Sequence, residues 1–495
     1  MNKKAYTRLK QIYENYYKLT NINSILTWDL AVKMPHNGYN IREKQLSLIA
    51  QITTDTIDNQ ETKQLFQDID PNILSTAEQR NFFLMKQIFL HKVSVPKTLR
   101  EEFVKASLKS EFMWRKAKQD NNFHLFNKYF STVIKLLKEI CNIKSNILNL
   151  SPYETLLAQY DPGLKEQHID RLFDKLAKTL PTLISQIIAK QHSFSNFKIT
   201  KIPENIQKSV YQKLLKKLGL SWQWCRIDES MHPFCTGYPG DVRITTKYSK
   251  QDFTSGLMGL IHETGHAIYD NNLPKKDQLQ PIGQASSISL HESQSLFMEM
   301  QIARSYSFSE FLLPILKKEF GLNNTYQSKD FYHYLNKVKP GYIRIDADEV
   351  TYPLHIIMRY KIEKDLIYDN INSNDLPDIW HHYTNKYFNL PNTSDSQGCL
   401  QDIHWSDGSL GYFPTYTIGA IFAAQIATKL KQLLPDFNHL IKIGDFKPII
   451  TILNKNIHNH GSHFTAQKII ESFSGKKLDV NIYLKYLKQK YLLEL

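Results

Sequence analysis

Two histidines and a glutamate stand in a spacing that can build a metal site within Leu260-Ile261-His262-Glu263-Thr264-Gly265-His266-Ala267-Ile268. Residues four apart lie on the same face of an α-helix, so His262 and His266 can direct one imidazole each towards a common point. Two imidazoles from one helical turn supply half of a tetrahedral zinc site. Glu263 follows the first histidine, where its carboxylate can reach a water molecule beside the metal. Ligands, an open position and a base are what metal-assisted hydrolysis requires.

The segment that carries this pattern is predicted to be an α-helix. Asp252 is a suitable N-cap, and apolar residues follow at spacings of three and four (Phe253, Leu257, Leu260, Ile261 and Ile268). Asn271, Asn272 and Pro274 indicate its end. Gly265 inside a helix costs up to roughly 1 kcal/mol relative to alanine, which predicts a close neighbour there. The alternative interpretation is a chance match, with two ordinary, partly buried histidines.

A third ligand is expected beyond the loop-like stretch 278–289. Glu292 follows His266 by 26 residues, on a separate predicted helix that continues to Ser305. It can therefore approach the metal from a side that one helix does not cover. Asp270, four residues after His266, is the rival ligand. We prefer Glu292 and assign Asp270 to orienting an imidazole.

A short β region precedes the metal-binding segment. Residues 226–228 and 241–246 have strand-like composition, and Tyr238-Pro239-Gly240 is a turn signal between them. We predict a small sheet beside the metal helix, where a peptidase can hold an extended substrate by edge pairing.

The rest of the chain is predicted to be mostly helical scaffold. Amphipathic helices are expected over residues 97–118 and 123–148, and Ser75 with Glu78 forms a capping box before another helix. A length of 495 residues exceeds what one hydrophobic core usually serves, so two lobes are expected. We treat residues 1–495 as one peptidase unit, with approximate sub-regions 1–200 (helical N-terminal lobe) and 201–495 (catalytic region).

Composition excludes several functional classes. The first 18 residues are polar and charged, and no apolar stretch is long enough to span a bilayer, so we expect a cytoplasmic chain without membrane contact. Four cysteines show no close pairing, which argues against a disulfide framework or a cysteine zinc site. The net charge of +14 invites a nucleic-acid interpretation. The lysines are spread over many helices and no nucleic-acid motif is present, so no nucleic-acid partner is expected.

Taken together, six stretches carry a resemblance to the carboxypeptidase Taq family of zinc metallocarboxypeptidases. They are His232-Pro233-Phe234, Asp241 to Thr245, His262 to His266, His291 to Gln294, Ile343 to Asp348, and Gly398 to Trp405. Trp28-Asp29 with Met34-Pro35, and the run from Gly411 to Tyr416, are also similar to that family. The N-terminal half matches more loosely.

The resemblance implies a mainly α fold, with two helical lobes flanking a deep substrate groove and a small β-sheet beside the metal helix. It implies one zinc ion per subunit, for which cobalt can substitute, and a homodimer. It further implies a metallocarboxypeptidase that releases single residues from peptides with a free C-terminus. The residues alone predict only metal-dependent peptide hydrolysis.

The resemblance also suggests roles for side chains outside the metal-binding helix. Tyr416 is expected to donate a hydrogen bond to the oxyanion formed during amide hydrolysis. Arg344 is the candidate for the substrate carboxylate, because its planar guanidinium matches a carboxylate with two hydrogen bonds. Arg243 and His232 are expected to limit where the peptide end is placed, with His404 assisting.

Two alternatives remain open at this level. An oligopeptidase or aminopeptidase could use the same metal-binding residues and the same base. A non-enzymatic binding protein with a relic site is disfavoured, because Glu263 and the three ligands are all present.

Overall fold

The chain is mainly α-helical with one small sheet, as predicted. The computed structural model describes residues 2–191, 197–198 and 201–494. Within these residues it contains twenty α-helices and a sheet of three strands. In this described part, no helix is both long enough and apolar enough to cross a membrane.

The helices are numbered in chain order. They are α1 (Asn2–Val32), α2 (Tyr39–Ile57), α3 (Gln60–Asp68), α4 (Thr76–Val93), α5 (Lys97–Gln119), α6 (Phe123–Leu148), α7 (Pro152–Leu157), α8 (Glu166–Gln191), α9 (Glu204–Lys217), α10 (Phe253–Asn271), α11 (Ile288–Leu296), α12 (Tyr306–Phe320), α13 (Ser328–Leu335), α14 (Tyr352–Ile367), α15 (Leu376–Phe388), α16 (Pro414–Leu433), α17 (Phe437–Ile443), α18 (Lys447–Asn456), α19 (Ala466–Ser474) and α20 (Val480–Lys488). Two π-helical segments, Phe297–Ala303 and Gln489–Glu494, follow α11 and α20.

Local signals predicted several helix boundaries correctly. The helices expected over residues 97–118 and 123–148 are α5 and α6, and the Asn122 side chain caps α6 by accepting a hydrogen bond from Leu125 N. The capping box before α4 is formed: Ser75 N donates to the Glu78 carboxylate at 2.9 Å, and Glu78 N donates to Ser75 Oγ at 3.4 Å. Such contacts involve only near neighbours, so the sequence is enough to predict them.

The sheet has the order β1–β3–β2, with β1 (Cys225–Glu229), β2 (Cys235–Tyr238) and β3 (Asp241–Thr246). β1 runs parallel to β3, and β2 runs antiparallel to it. The first and third strands were predicted, whereas β2 was missed. Its sequence, Cys-Thr-Gly-Tyr, is short and lacks the apolar alternation that marks a strand.

The described residues divide into two compact units. The first consists of Met1–Phe89, Ser195–Leu335 and Phe422–Asp479, and the second of Leu90–Phe194, Asn336–Ile421 and Val480–Leu495. Each unit therefore draws on three stretches of the chain, whereas the sequence suggested one division near residue 200. The sub-regions 1–200 and 201–495 stay a prediction.

In the first unit, α10 lies in the core beside the sheet. It packs against β3, α11 and the π-helical segment that follows α11. Fourteen of its nineteen residues are buried, which is typical of a helix with neighbours on nearly every side. Val242 and Ile244 of β3 are fully buried. The small sheet predicted beside this helix is thus confirmed.

Candidate metal centre

The helix α10 positions the two histidines of the motif. It begins where predicted: the Asp252 side chain accepts hydrogen bonds from Thr254 N at 2.8 Å and from Thr254 Oγ1 at 2.6 Å. One helical turn separates His262 from His266, and their ring centroids lie 5.0 Å apart. The packing of α10 on its neighbours holds both backbones in place.

Glu292 of α11 joins the two histidines. Its Oε1 lies 3.8 Å from His262 Nε2, and its Oε2 lies 3.6 Å from His266 Nε2. Ligand atoms of the three side chains all lie within 4.8 Å of one another. Bonds of about 2.1 Å at tetrahedral angles place neighbouring zinc ligands about 3.4 Å apart. The two nitrogens and one carboxylate therefore fit a single tetrahedral ion with one position left open.

The orientation of His262 depends on a residue that sequence reasoning missed. Glu299, in the π-helical segment, lies with Oε2 3.1 Å from His262 Nδ1. Arg304 in turn donates to Glu299 Oε1 from Nε at 3.2 Å and from Nη2 at 3.0 Å. A carboxylate on one ring nitrogen directs the other nitrogen towards a metal. Its position in the sequence could have indicated this contact, because Glu299 follows Glu292 by seven residues, or two helical turns, and so lies on the same side of the chain.

Asp270 lies against an imidazole, that of His291. His291 Nε2 lies 2.9 Å from Asp270 Oδ1. The His291 ring stacks on that of His266, with centroids 4.2 Å apart and planes 17° from parallel. Asp270, the rival candidate for third ligand, therefore pairs with a neighbour of a proposed ligand.

The electrostatics of the cluster favour a cation at its centre. Burial lowers the pKa of His266 to about 4, so this ring is neutral, the form that binds a metal. Burial also disfavours charge on His262, but Glu292 and Glu299 outweigh it and raise the pKa of His262 to about 10. Burial raises the pKa of Glu299, yet His262 and Arg304 bring it down to about 2. Carboxylates arranged in this way stabilise positive charge where the three proposed ligands meet.

Glu263 is buried beside the same cluster. Burial raises the pKa of its carboxyl to about 7, against the opposing effect of His262. The charges of Glu292 and His291 also act on the pKa of this carboxyl. A pKa near neutrality allows a carboxyl both to take and to return a proton.

Arg243 and His232 lie in and next to the sheet of the same unit. Arg243 pairs in register with Arg226 across β1 and β3, and both guanidinium groups lie over the indole of Trp28, at 4.5 and 4.7 Å from the ring centroid. Arg243 Nε and Nη2 also donate to the Asp241 carboxylate at 3.0 and 2.9 Å. His232 is exposed, and its carbonyl oxygen accepts a hydrogen bond from Ser230 Oγ at 2.6 Å.

Arg344 is the centre of a buried cluster in the second unit. Its Nε and Nη2 donate to Asp402 Oδ1 at 3.0 and 2.8 Å, and its Nη1 donates to Tyr352 Oη at 2.6 Å. These contacts use three of the five N–H groups of the guanidinium. Arg359 is fully buried, and its Nε donates to Asp402 Oδ2 at 2.7 Å. The buried carboxylate of Asp402 thus holds the guanidinium of Arg344, the group predicted to meet the substrate.

Tyr416 and His404 belong to the same unit. The Arg344 guanidinium carbon lies 5.3 Å from the centroid of the Tyr416 ring and 5.3 Å from that of Phe413. His404 packs on Phe413 with ring centroids 4.7 Å apart. Burial lowers the pKa of His404 to about 4, although Asp402 opposes the shift, so its ring is neutral.

Comparison with known proteins identifies the family. A family model described as carboxypeptidase Taq (M32) metallopeptidase matches residues 8–491. Carboxypeptidase 1 of Bacillus subtilis is 33% identical over 482 residues, which cover 94% of this chain and 94% of that protein. Thermostable carboxypeptidase 1 of Pyrococcus furiosus is 32% identical over 496 residues, covering 98% of both chains. The solved structure of Trypanosoma cruzi metallocarboxypeptidase 1 aligns with a TM-score of 0.97 at 32% identity and covers 99% of both chains. The chain belongs to the carboxypeptidase Taq family of metallopeptidases.

Proposed function

We propose that this chain is a zinc-dependent metallocarboxypeptidase in which His262, His266 and Glu292 hold the metal and Glu263 is the general base. The family assignment makes it a peptidase that acts at peptide C-termini. The observation that carries the finer proposal is the convergence of the three ligand atoms within 4.8 Å. Cobalt is expected to replace zinc, because neither the donor set nor its spacing distinguishes the two ions.

Glu263 has two successive tasks in the proposed reaction. When bound, the metal supplies Lewis-acid activation of water and of the scissile carbonyl. Glu263 accepts one proton from the attacking water, and a carbon–oxygen bond forms at the carbonyl. Glu263 then returns that proton to the leaving amine as the carbon–nitrogen bond breaks, so the base is regenerated.

Tyr416 and Arg344 are proposed to act on the substrate. The Tyr416 hydroxyl would donate to the developing oxyanion, and one such donor contributes roughly 3 to 4 kcal/mol to lowering the barrier. A Tyr416→Phe change should therefore lower turnover by about a hundredfold or more and leave metal binding unchanged. The guanidinium of Arg344 would meet the substrate carboxylate, with Arg243, His232 and His404 limiting how the peptide end is placed.

The decisive experiment compares one peptide in free, N-acetylated and C-amidated forms, with products identified by mass spectrometry. The expected result is stepwise loss of C-terminal residues from the first two forms only. A chelator should abolish it, and zinc or cobalt should restore it. Internal cuts, or cleavage of the amidated form, would retain the metal site but remove Arg344 from carboxylate recognition. An absence of cleavage despite bound metal would favour a relic site. The homodimer and the cytoplasmic location stay predictions.

A further inference from the structure

The two imidazoles of the proposed metal site are held in different ways. His262 Nδ1 has Glu299 Oε2 at 3.1 Å, and Arg304 fixes that carboxylate. His266 Nδ1, in contrast, is buried and has no hydrogen-bond partner among the described residues. A metal-binding histidine usually fixes its ring through a hydrogen bond from the second nitrogen. Another contact must therefore limit rotation of the His266 ring.

That contact is the face of His291. The two rings lie 17° from parallel with centroids 4.2 Å apart, so a turn of His266 about its Cβ–Cγ bond would drive its edge into its neighbour. His291 cannot readily yield, because its Nε2 is bound to Asp270 Oδ1 at 2.9 Å. The ring of Tyr269 also meets His291 edge-on, with centroids 5.7 Å apart and planes at 67°.

We propose that His291 and Asp270 form a positioning pair for His266, in which the stacked ring of His291 replaces the missing hydrogen bond. The inference rests on the proposed metal site. In this arrangement His291 binds neither metal nor substrate. It sets the direction of His266 Nε2 through ring contact, and Asp270 sets the direction of His291.

If His291 had only a structural role, any change of its side chain should weaken metal binding, whether or not a flat ring is kept. His291 precedes Glu292, so any disturbance of the backbone at His291 would also move a proposed ligand. Side-chain variants separate the two roles. His291→Phe keeps a flat ring and loses the bond to Asp270, whereas His291→Gln keeps a polar group within reach of Asp270 and loses the flat ring.

The test measures zinc and cobalt affinity of the full-length protein by competition with a chromophoric chelator. We expect His291→Gln to weaken both by about tenfold to a hundredfold, the usual effect of losing an orienting group. His291→Phe should weaken both affinities less, by about threefold to fivefold, because it keeps the flat ring but loses the bond that fixes it, and its visible cobalt spectrum should keep the form of the unmodified protein. Glu299→Gln is the positive control on the His262 side. His439→Gln, at an exposed position of α17, makes the same chemical change away from the site.

A double-mutant cycle tests the part played by Asp270. Asp270→Ala should weaken metal binding when His291 is present, because the stacked ring is then free to turn. The same change should have little further effect in His291→Phe, whose ring makes no bond to Asp270. Non-additivity of this kind is the sign of two residues acting as one unit.

The possible outcomes distinguish a failure of the proposed positioning pair from a failure of the proposed function. If the unmodified protein binds neither metal, the proposed function fails. If it binds metal and His291→Gln binds equally well, only the positioning pair is overturned. A loss in His291→Phe as large as that in His291→Gln, or larger, would also overturn it, by showing that keeping the flat ring does not preserve metal binding. Thermal unfolding of the metal-free variants checks that each one is folded.

Discussion

Gly265 of α10 lies directly against the backbone of Gln294 in α11. A Cβ atom added to Gly265 would lie 2.4 Å from the Gln294 carbonyl oxygen and 2.6 Å from Ser295 Cα. The groups it would meet are main-chain atoms, which cannot swing aside as a flexible side chain can. The absent side chain thus sets how closely α11, and with it Glu292, approaches the two histidines of α10.

The close contact between α10 and α11 at Gly265 predicts that two glycine-to-alanine changes in α10 have opposite effects on stability. Gly265→Ala should destabilise the protein and weaken zinc binding, because α11 has to move away from α10. Gly259→Ala is the matched control: apart from its chain neighbours and the backbone of its own helix, no heavy atom of the described residues lies within 4 Å of its added Cβ. It should stabilise the protein by up to roughly 1 kcal/mol, since alanine is the better helix former. Denaturant unfolding and chelator competition measure both, and equal effects of the two changes would contradict the prediction.

Glu263→Gln should abolish proton transfer without emptying the site. We expect kcat to fall by about a hundredfold to ten-thousandfold, the usual range for a general base. The bound metal, measured by elemental analysis, should be unchanged, because Glu263 is not among the proposed ligands. Glu101→Gln, on the exposed surface of α5, makes the same change as a control. Turnover close to that of the unmodified enzyme would exclude Glu263 as the base.

Arg359→Met should be strongly destabilising although Arg359 touches no proposed ligand. Its side chain is fully buried, and its Nε and Nη2 lie 2.7 and 2.6 Å from Asp402 Oδ2. Its removal leaves the buried Asp402 Oδ2 without these donors while Arg344 still pairs with Oδ1, so we expect a cost near the lower end of the range for a broken buried pair, about 3 kcal/mol. Arg8→Met breaks an exposed pair with Glu61 and should change the unfolding free energy little. Similar losses in the two variants, measured by denaturant unfolding, would contradict this prediction.

The buried carboxyl of Glu363 should make the stability of the protein depend on pH. Burial raises its pKa to about 7, although Gly411 N–H, the Tyr153 hydroxyl and the Trp405 indole N–H all donate to the carboxyl. The pKa is thus higher in the folded than in the unfolded chain, whose carboxyl titrates at its ordinary value of 4.5. The contribution of Glu363 to the free energy of unfolding is complete below its pKa in the unfolded chain. It is lost as the pH rises through its pKa in the folded chain, by about 1.4 kcal/mol per unit of difference between the two pKa values.

The measurement compares the free energy of unfolding of the unmodified protein with that of Glu363→Gln between pH 4.5 and about 7. The difference in unfolding free energy should favour the unmodified protein most at low pH and shrink as pH rises towards about 7. Other titrating groups affect both proteins alike, so they cancel from the difference. A difference that stays constant over the interval would show that Glu363 does not titrate there.

Local chemistry in the sequence determined much of this protein. The start of α10 at Asp252, the cap of α6 and the shared face of His262 and His266 each depend on residues within a few positions of one another. A glycine in the middle of α10 indicated a close neighbour, and the backbone of Gln294 is that neighbour. Glu292 was selected because one helix cannot surround an ion, and it lies with the two histidines.

Only the tertiary structure decided which distant side chains meet. Glu299 against His262, His291 against His266, and Asp402 between two arginines are contacts between side chains on different elements. Their partners depend on how those elements pack and turn, which no spacing along the chain records. Arg344 is an example: the sequence predicts its role towards a substrate carboxylate, but only the structure shows that Asp402 lies against its guanidinium. Sequence spacing sets which groups share a helical face, and packing sets what that face meets.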